Sequence, residues 1–148
     1  MMRALRADKF TIAALAYTLD CYINSQKLPS VKISTHSMIS TNLEEIKNKA
    51  TFLSLKLSEY NILNNIVKNQ AQCEGGTLPE TYIPSYAVKI DITNNKVSAK
   101  KYYHSLLKCP SPVVGILKKG EILFDVTAID KNELEQTAKV IAENFDKI

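Results

Sequence analysis

Nineteen of the 148 residues are Lys or Arg, and the only two arginines, Arg3 and Arg6, stand three apart near the start of the sequence. Carried on a helix, that spacing puts both on one face. Two guanidinium groups side by side suit a phosphate or another oxyanion, because each presents a planar fork that donates two parallel hydrogen bonds. Lysine, a compact point charge, offers no fork. On periodicity alone, a pair of surface arginines at a frayed chain end is the simpler account.

The other reactive residue types form no constellation. Consecutive glycines in "EGGTLP" (residues 74–79) could converge backbone N–H groups on an anion, but the segment lacks the P-loop lysine and opens no helix, so a connecting turn is favoured. His36 lies in a polar stretch and His104 beside Tyr102 and Tyr103, and neither has a Cys or His at metal-ligand spacing. No metal site and no catalytic residue is assigned. Cys21, Cys73 and Cys109 are odd in number and far apart, which points to a reducing, cytoplasmic setting with cysteine as a small apolar residue.

The elements that must position these residues follow from the hydrophobic pattern. With 45% hydrophobic residues, a chain of this length can build a core without a metal or disulfide staple. No apolar run approaches the roughly 18–20 residues of a membrane span. The formal charge of +4 comes from scattered lysines, without the basic stripe and interleaved aromatics of a nucleic-acid surface. Residues 8–24 carry a broad apolar helical face that Asp8 can cap, and 25–37 read as a loop with at most one short helical turn. A second helix is predicted in 40–60, capped by Ser or Thr, with Leu43, Ile46, Ala50, Leu53 and Leu57 inward. Two strands follow around the Gly-Pro loop, then a helix ended by Pro110 and Pro112, a tight hairpin turning at Gly120, and a last helix carrying Leu134, Ala138, Ile141 and Phe145. Strand pairs punctuated by helices give an α+β fold: a small, mainly antiparallel sheet of about four strands covered by helices, with a leading helix.

"RALRADKFTIAALAYTL" (residues 3–19) resembles bacterial selenocysteine synthase, the L-seryl-tRNA(Sec) selenium transferase family, whose pattern there runs R-A-L-R-x-D-K-x-T-x-A-A-L-x-x-T-L. "GGTLPETYIPSYAV" (75–88) is similar to that family's G-G-x-L-P-x-x-x-[IL]-P-S-x-A-[VL] stretch. "PVVGILKKGEILFDVTAI" (112–129) is similar to its P-V-[IV]-G-R-I hairpin and following L-x-L-D-x-R-T-[VI]. The chain departs from the pattern at Ile116 and at Thr127-Ala128, where the family has Arg and Arg-Thr.

The resemblance implies the C-terminal part of a fold-type I pyridoxal-phosphate enzyme, with Met1 falling part-way through the family sequence. Residues 1–24 would form an interdomain helix with the R-A-L-R motif, and 25–148 a small C-terminal α+β domain. The family's Schiff-base lysine lies upstream of that motif, so Lys9 is not its counterpart, and no pyridoxal phosphate is expected on this chain. Carried over by position, Arg3 and Arg6 would bind selenophosphate or its phosphate product. The implied partners are the missing large cofactor-binding domain, seryl-tRNA(Sec) and selenophosphate, with a homo-oligomer expected and no membrane. A non-catalytic remnant or interaction module, or a domain of a related pyridoxal-phosphate lyase, stays open as the alternative.

Overall fold

The computed structural model describes residues 7–24, 34–72, 82–92 and 98–145, with the main chain alone at 34–36 and 72. These fall into two compact units that divide between Ser40 and Thr41.

The first unit holds α1 (Lys9–Ile23) and α2 (Ser34–Ser40). Asp8 caps α1: its backbone is extended at φ −73° and ψ 167°, and its carboxylate accepts from Phe10 N and Thr11 N at 2.8 and 2.9 Å. The helix therefore starts at Lys9 and does not run back through Ala7 towards the arginines. At the other end Asn24 closes it through its backbone N–H to Asp20 O. α2 is longer than the single short turn expected within the loop at 25–37 and runs on to Ser40. From Ser34 to Ser40 the sequence has neither Gly nor Pro, so nothing interrupts a helix once it begins.

In the second unit, α3 (Leu43–Glu59) leads into β1 (Asn64–Gln72) and β2 (Tyr82–Ile90), α4 (Ala99–Leu107), β3 (Ile116–Lys118), β4 (Glu121–Asp125), a 3-10 turn at Lys131–Glu133 and α5 (Leu134–Phe145). The four strands form one antiparallel sheet in the order β1-β2-β4-β3. That is the α+β architecture expected from the sequence. β3 and β4 turn at Lys119 and Gly120, both in the left-handed region at φ 51° and 82°, which is the backbone twist a two-residue hairpin needs.

All three helices of this unit take part in one core. Ile46, Ala50, Leu53 and Leu57 of α3 meet Val88 and Ile90 of β2, Ile122 and Phe124 of β4, and Leu134, Ala138 and Ile141 of α5. Tyr102 of α4 is fully buried; its hydroxyl donates to Ile141 O at 2.8 Å, and its ring meets Phe145 edge-on at 5.6 Å. Lys49 donates to Ile129 O at 2.8 Å and so ties α3 to the loop before α5. Two sequence expectations for α3 need correction. Asn42, whose side chain accepts from Glu44 N at 3.1 Å, is the cap in place of Ser or Thr, and Leu43, at the first position of the helix, is exposed and not inward.

Candidate functional site

Arg3, Arg6 and the whole of "EGGTLP" lie outside the described residues, as does the side chain of His36. His104 stands exposed on α4, its ring 6.1 Å from that of Tyr103. Lys9 is at the first position of α1, its ammonium 5.7 Å from the Phe10 ring centre. Among the described residues, no group of three or more His, Cys, Asp or Glu side chains could hold a metal ion. The departures from the family pattern part company in space: Ile116 is exposed on β3, an edge strand, whereas Thr127 is buried just past the end of β4.

The second unit does bring together two of the quoted motifs, forty residues apart in the chain. Ser85 of "IPSYAV" lies on β2 and Asp125 of "LFDVTAI" on β4, next to each other in the sheet. Asp125 Oδ1 accepts from Ser85 Oγ at 2.8 Å and from Thr127 N at 2.9 Å, and its Oδ2 accepts from Asn69 Nδ2 at 2.7 Å. Ser85 and Thr127 share a further bond at 2.6 Å between their hydroxyls. One carboxylate thus joins β1, β2 and the end of β4 with neutral donors only. Every buried side-chain N or O atom among the described residues has a partner, so this cluster is fully satisfied.

Its position follows from the two-residue period of a strand. Val88, Ile90, Ile122 and Phe124 point to the helices, so Asn69, Ser85, Lys89, Leu123 and Asp125 take the opposite face. On that face Lys89 pairs with Glu121 at 3.0 Å, and a groove of about 1070 Å³ has Val67, Asn69, Ser85, Lys89 and Leu123 in its lining. Chemically the cluster positions and does not react. Asp125 already accepts from three donors and the two hydroxyls bond each other, so the cluster acts as a brace between strands. Sequence reading overlooked these residues. The available signal was that Ser85 and Asp125 each sit at a fixed position of a quoted motif, which a search for reactive residue types passes over.

The P-V-V-G segment before β3 also has a spatial reason. A Cβ on Gly115 would meet Leu123 O at 3.0 Å, Phe124 Cε1 at 3.1 Å and Ile122 Cγ2 at 3.2 Å, so any side chain there makes β4 or the core give way by a few tenths of an ångström.

These motifs belong to a pattern shared beyond this chain. The family model described as "SelA: L-seryl-tRNA selenium transferase" matches residues 1–130. The chain belongs to this family. It is 31% identical over 152 aligned residues to the L-seryl-tRNA(Sec) selenium transferase of Clostridium botulinum (strain Hall), an alignment that takes in 100% of this chain and 31% of that protein. With the enzyme of the same name from Clostridium perfringens (strain 13) it shares 30% over 149 residues, 99% of this chain and 32% of the relative. The chain thus spans about a third of the length of the curated relatives it matches. No helix among the described residues is long and apolar enough to cross a membrane.

Proposed function

We propose that this chain is the C-terminal domain of a pyridoxal-phosphate-dependent enzyme of the cytoplasm that converts seryl-tRNA(Sec) to selenocysteinyl-tRNA(Sec) with selenophosphate. The observation that carries this reading is the family match over residues 1–130, which begins with the R-A-L-R segment. In it, residues 1–24 form the interdomain segment, and Arg3 and Arg6 hold the phosphate-bearing selenium donor through paired guanidinium forks.

The described residues do not fit the cofactor by themselves. An internal aldimine needs a lysine whose amine is sheltered and free. The three half-buried lysines here are engaged: Lys49 with Ile129 O, Lys56 with Glu59, and Lys89 with Glu121. In this reading the cofactor and its lysine belong to the large domain, and this chain contributes the donor-binding arginines and the sheet domain.

The experiment is donor saturation in a protein completed to the length of its relatives. Arg3→Ala or Arg6→Ala is expected to weaken apparent donor affinity about ten- to a hundredfold, as the loss of one charge-assisted contact would, with the cofactor absorption band unchanged. Arg→Lys should recover only part of the loss, since the charge returns without the fork. Equal saturation curves for the wild type and the double Ala variant would return the two arginines to plain surface charge.

A further inference from the structure

The three helices that build the core of the second unit distribute their charge differently. α3 opens on Glu44 and Glu45 and α5 on Glu135, acids at the positive end of the helix dipole, and both carry an ion pair of their own, Lys56 with Glu59 and Lys139 with Glu143. α4 does the reverse. It opens on Lys100 and Lys101, has no acidic residue along its length, and takes no part in any ion pair among the described residues. Two cations at the positive end of a dipole work against the helix, and a local rule broken with no compensating partner marks a candidate functional surface.

At 3.6 residues per turn, Lys100, His104, Lys108 and Lys101 fall within an arc of about 100°, directly opposite the buried Ala99, Tyr102 and Leu106. All four are exposed, while Tyr103, Ser105 and Leu107 lie half-buried at the margins. Lysines that look scattered along the sequence thus form one cationic row. From Lys100 to Lys108 it runs about 12 Å, a length over which one strand of a duplex carries roughly three or four phosphates.

We infer that this face of α4 contacts the phosphate backbone of the tRNA on which the enzyme acts. The inference rests on the function proposed above, which supplies the polyanion, and the row supplies its electrostatic complement. Other anionic surfaces suit it less. The face has no exposed apolar side chain, so it lacks the anchors with which an amphipathic helix enters a lipid surface or lies in a protein groove. Lysine fits the task, because a flexible point charge neutralises a phosphate without demanding one orientation. Backbone contacts carry no sequence information, so the role is to position the tRNA and not to select it.

Fluorescence anisotropy of labelled, unfractionated bacterial tRNA, titrated with the 148-residue chain at several salt concentrations, reads this contact. Binding is expected at low salt, with the logarithm of affinity falling linearly against that of salt. Lys100→Gln, Lys101→Gln and Lys108→Gln together should lower affinity about tenfold or more and make the slope shallower by about 2–3, near one for each lysine taken from a phosphate. Lys47→Gln, Lys68→Gln and Lys131→Gln together make the same change in net charge on α3, β1 and the 3-10 turn, and should leave the slope nearly unchanged. The thermal midpoint of the second unit should hold or rise in the α4 variant, since the first turn loses its misplaced cations, so that lost binding is not lost fold. A chain that binds no tRNA even at low salt overturns the inference. So do equal losses for the two triple variants, or binding to anionic lipid vesicles that matches binding to tRNA. None of these results touches donor saturation at Arg3 and Arg6, on which the enzyme reading stands or falls separately.

Discussion

The two units of this chain treat their apolar residues in opposite ways. In Thr41–Ile148, Leu53, Val88, Tyr102, Phe124 and Ile141 are sealed by neighbours from α3, α4, α5 and the sheet. In Met1–Ser40, α1 presents Phe10, Leu15, Tyr17 and Ile23 to solvent, at 77%, 58%, 59% and 80%. One unit completes its own burial. The other holds apolar surface of the kind that marks contact with another surface. In a chain spanning about a third of its relatives, the sheet domain seals its own core while the leading helix keeps apolar surface open.

The largest expected effect sets two phenylalanines against each other. Phe124→Ala should cost about 3–5 kcal/mol by leaving a cavity between sheet and helices, whereas Phe10→Ala should stay within about 0.5 kcal/mol. Urea unfolding monitored through the second unit measures both, and comparable losses would erase the contrast. Gly115→Ala comes next. Its Cβ must displace Leu123 O or the Phe124 ring, contacts of 3.0 and 3.1 Å that belong to β4 and the core, at an expected cost of about 1–3 kcal/mol. A variant as stable as the parent would mean that the segment before β3 moves away freely.

Smaller effects probe the satisfied polar groups of the same unit. Asp125→Ala removes the acceptor for three donors, and an expected loss of about 1–3 kcal/mol reflects Asn69 and the Thr127 N–H left without partners while the Ser85 and Thr127 hydroxyls keep each other. Tyr102→Phe removes one hydrogen bond from an otherwise unchanged ring, for about 0.5–1.5 kcal/mol. Tyr102 also sets an alkaline limit. Burial pushes its phenol above the ordinary 10.0, so the folded state resists its ionisation. Because the folded pKa is the higher one, this contribution is whole below pH 10 and is lost as pH rises beyond it. Tyr102→Phe should flatten that alkaline decline, and an unchanged slope would remove Tyr102 as its cause.

What the sequence disclosed tracks how local each signal is. The Lys119-Gly120 turn, the Asp8 cap and the inward residues of α5 are visible because turn chemistry, capping and the 3.6-residue period act within a few positions. The extent of α2 was not legible, since its three serines and one threonine are equally at home in turns. The Asn69, Ser85, Asp125 and Thr127 cluster joins three stretches of chain, up to 58 positions apart from Asn69 to Thr127, and nothing local announces a meeting created by strand pairing. The quoted family motifs contain Ser85 and Asp125, but a motif read along the chain does not say that two of its residues forty positions apart will meet.

The smallest expected effect lies on the exposed side of the comparison. Hydrogen bonds from Thr11 N and Phe10 N hold the Asp8 carboxyl below its usual 3.8, because they favour the charged form. A carboxyl whose folded pKa is depressed contributes fully above its unfolded pKa, and that contribution disappears as pH falls through the lower, folded value. α1 should therefore keep its first turn down to about pH 4 and begin to fray below it, while the buried core of the second unit, which has no carboxylate in it, persists further into acid. Amide exchange or resolved NMR shifts of Phe10 and Thr11 against pH would follow the two events separately. Asp8→Asn should make the first turn insensitive to acid, since an amide caps without titrating. If wild type and Asp8→Asn lose the α1 turn at the same pH, the cap is not what fastens the start of this helix.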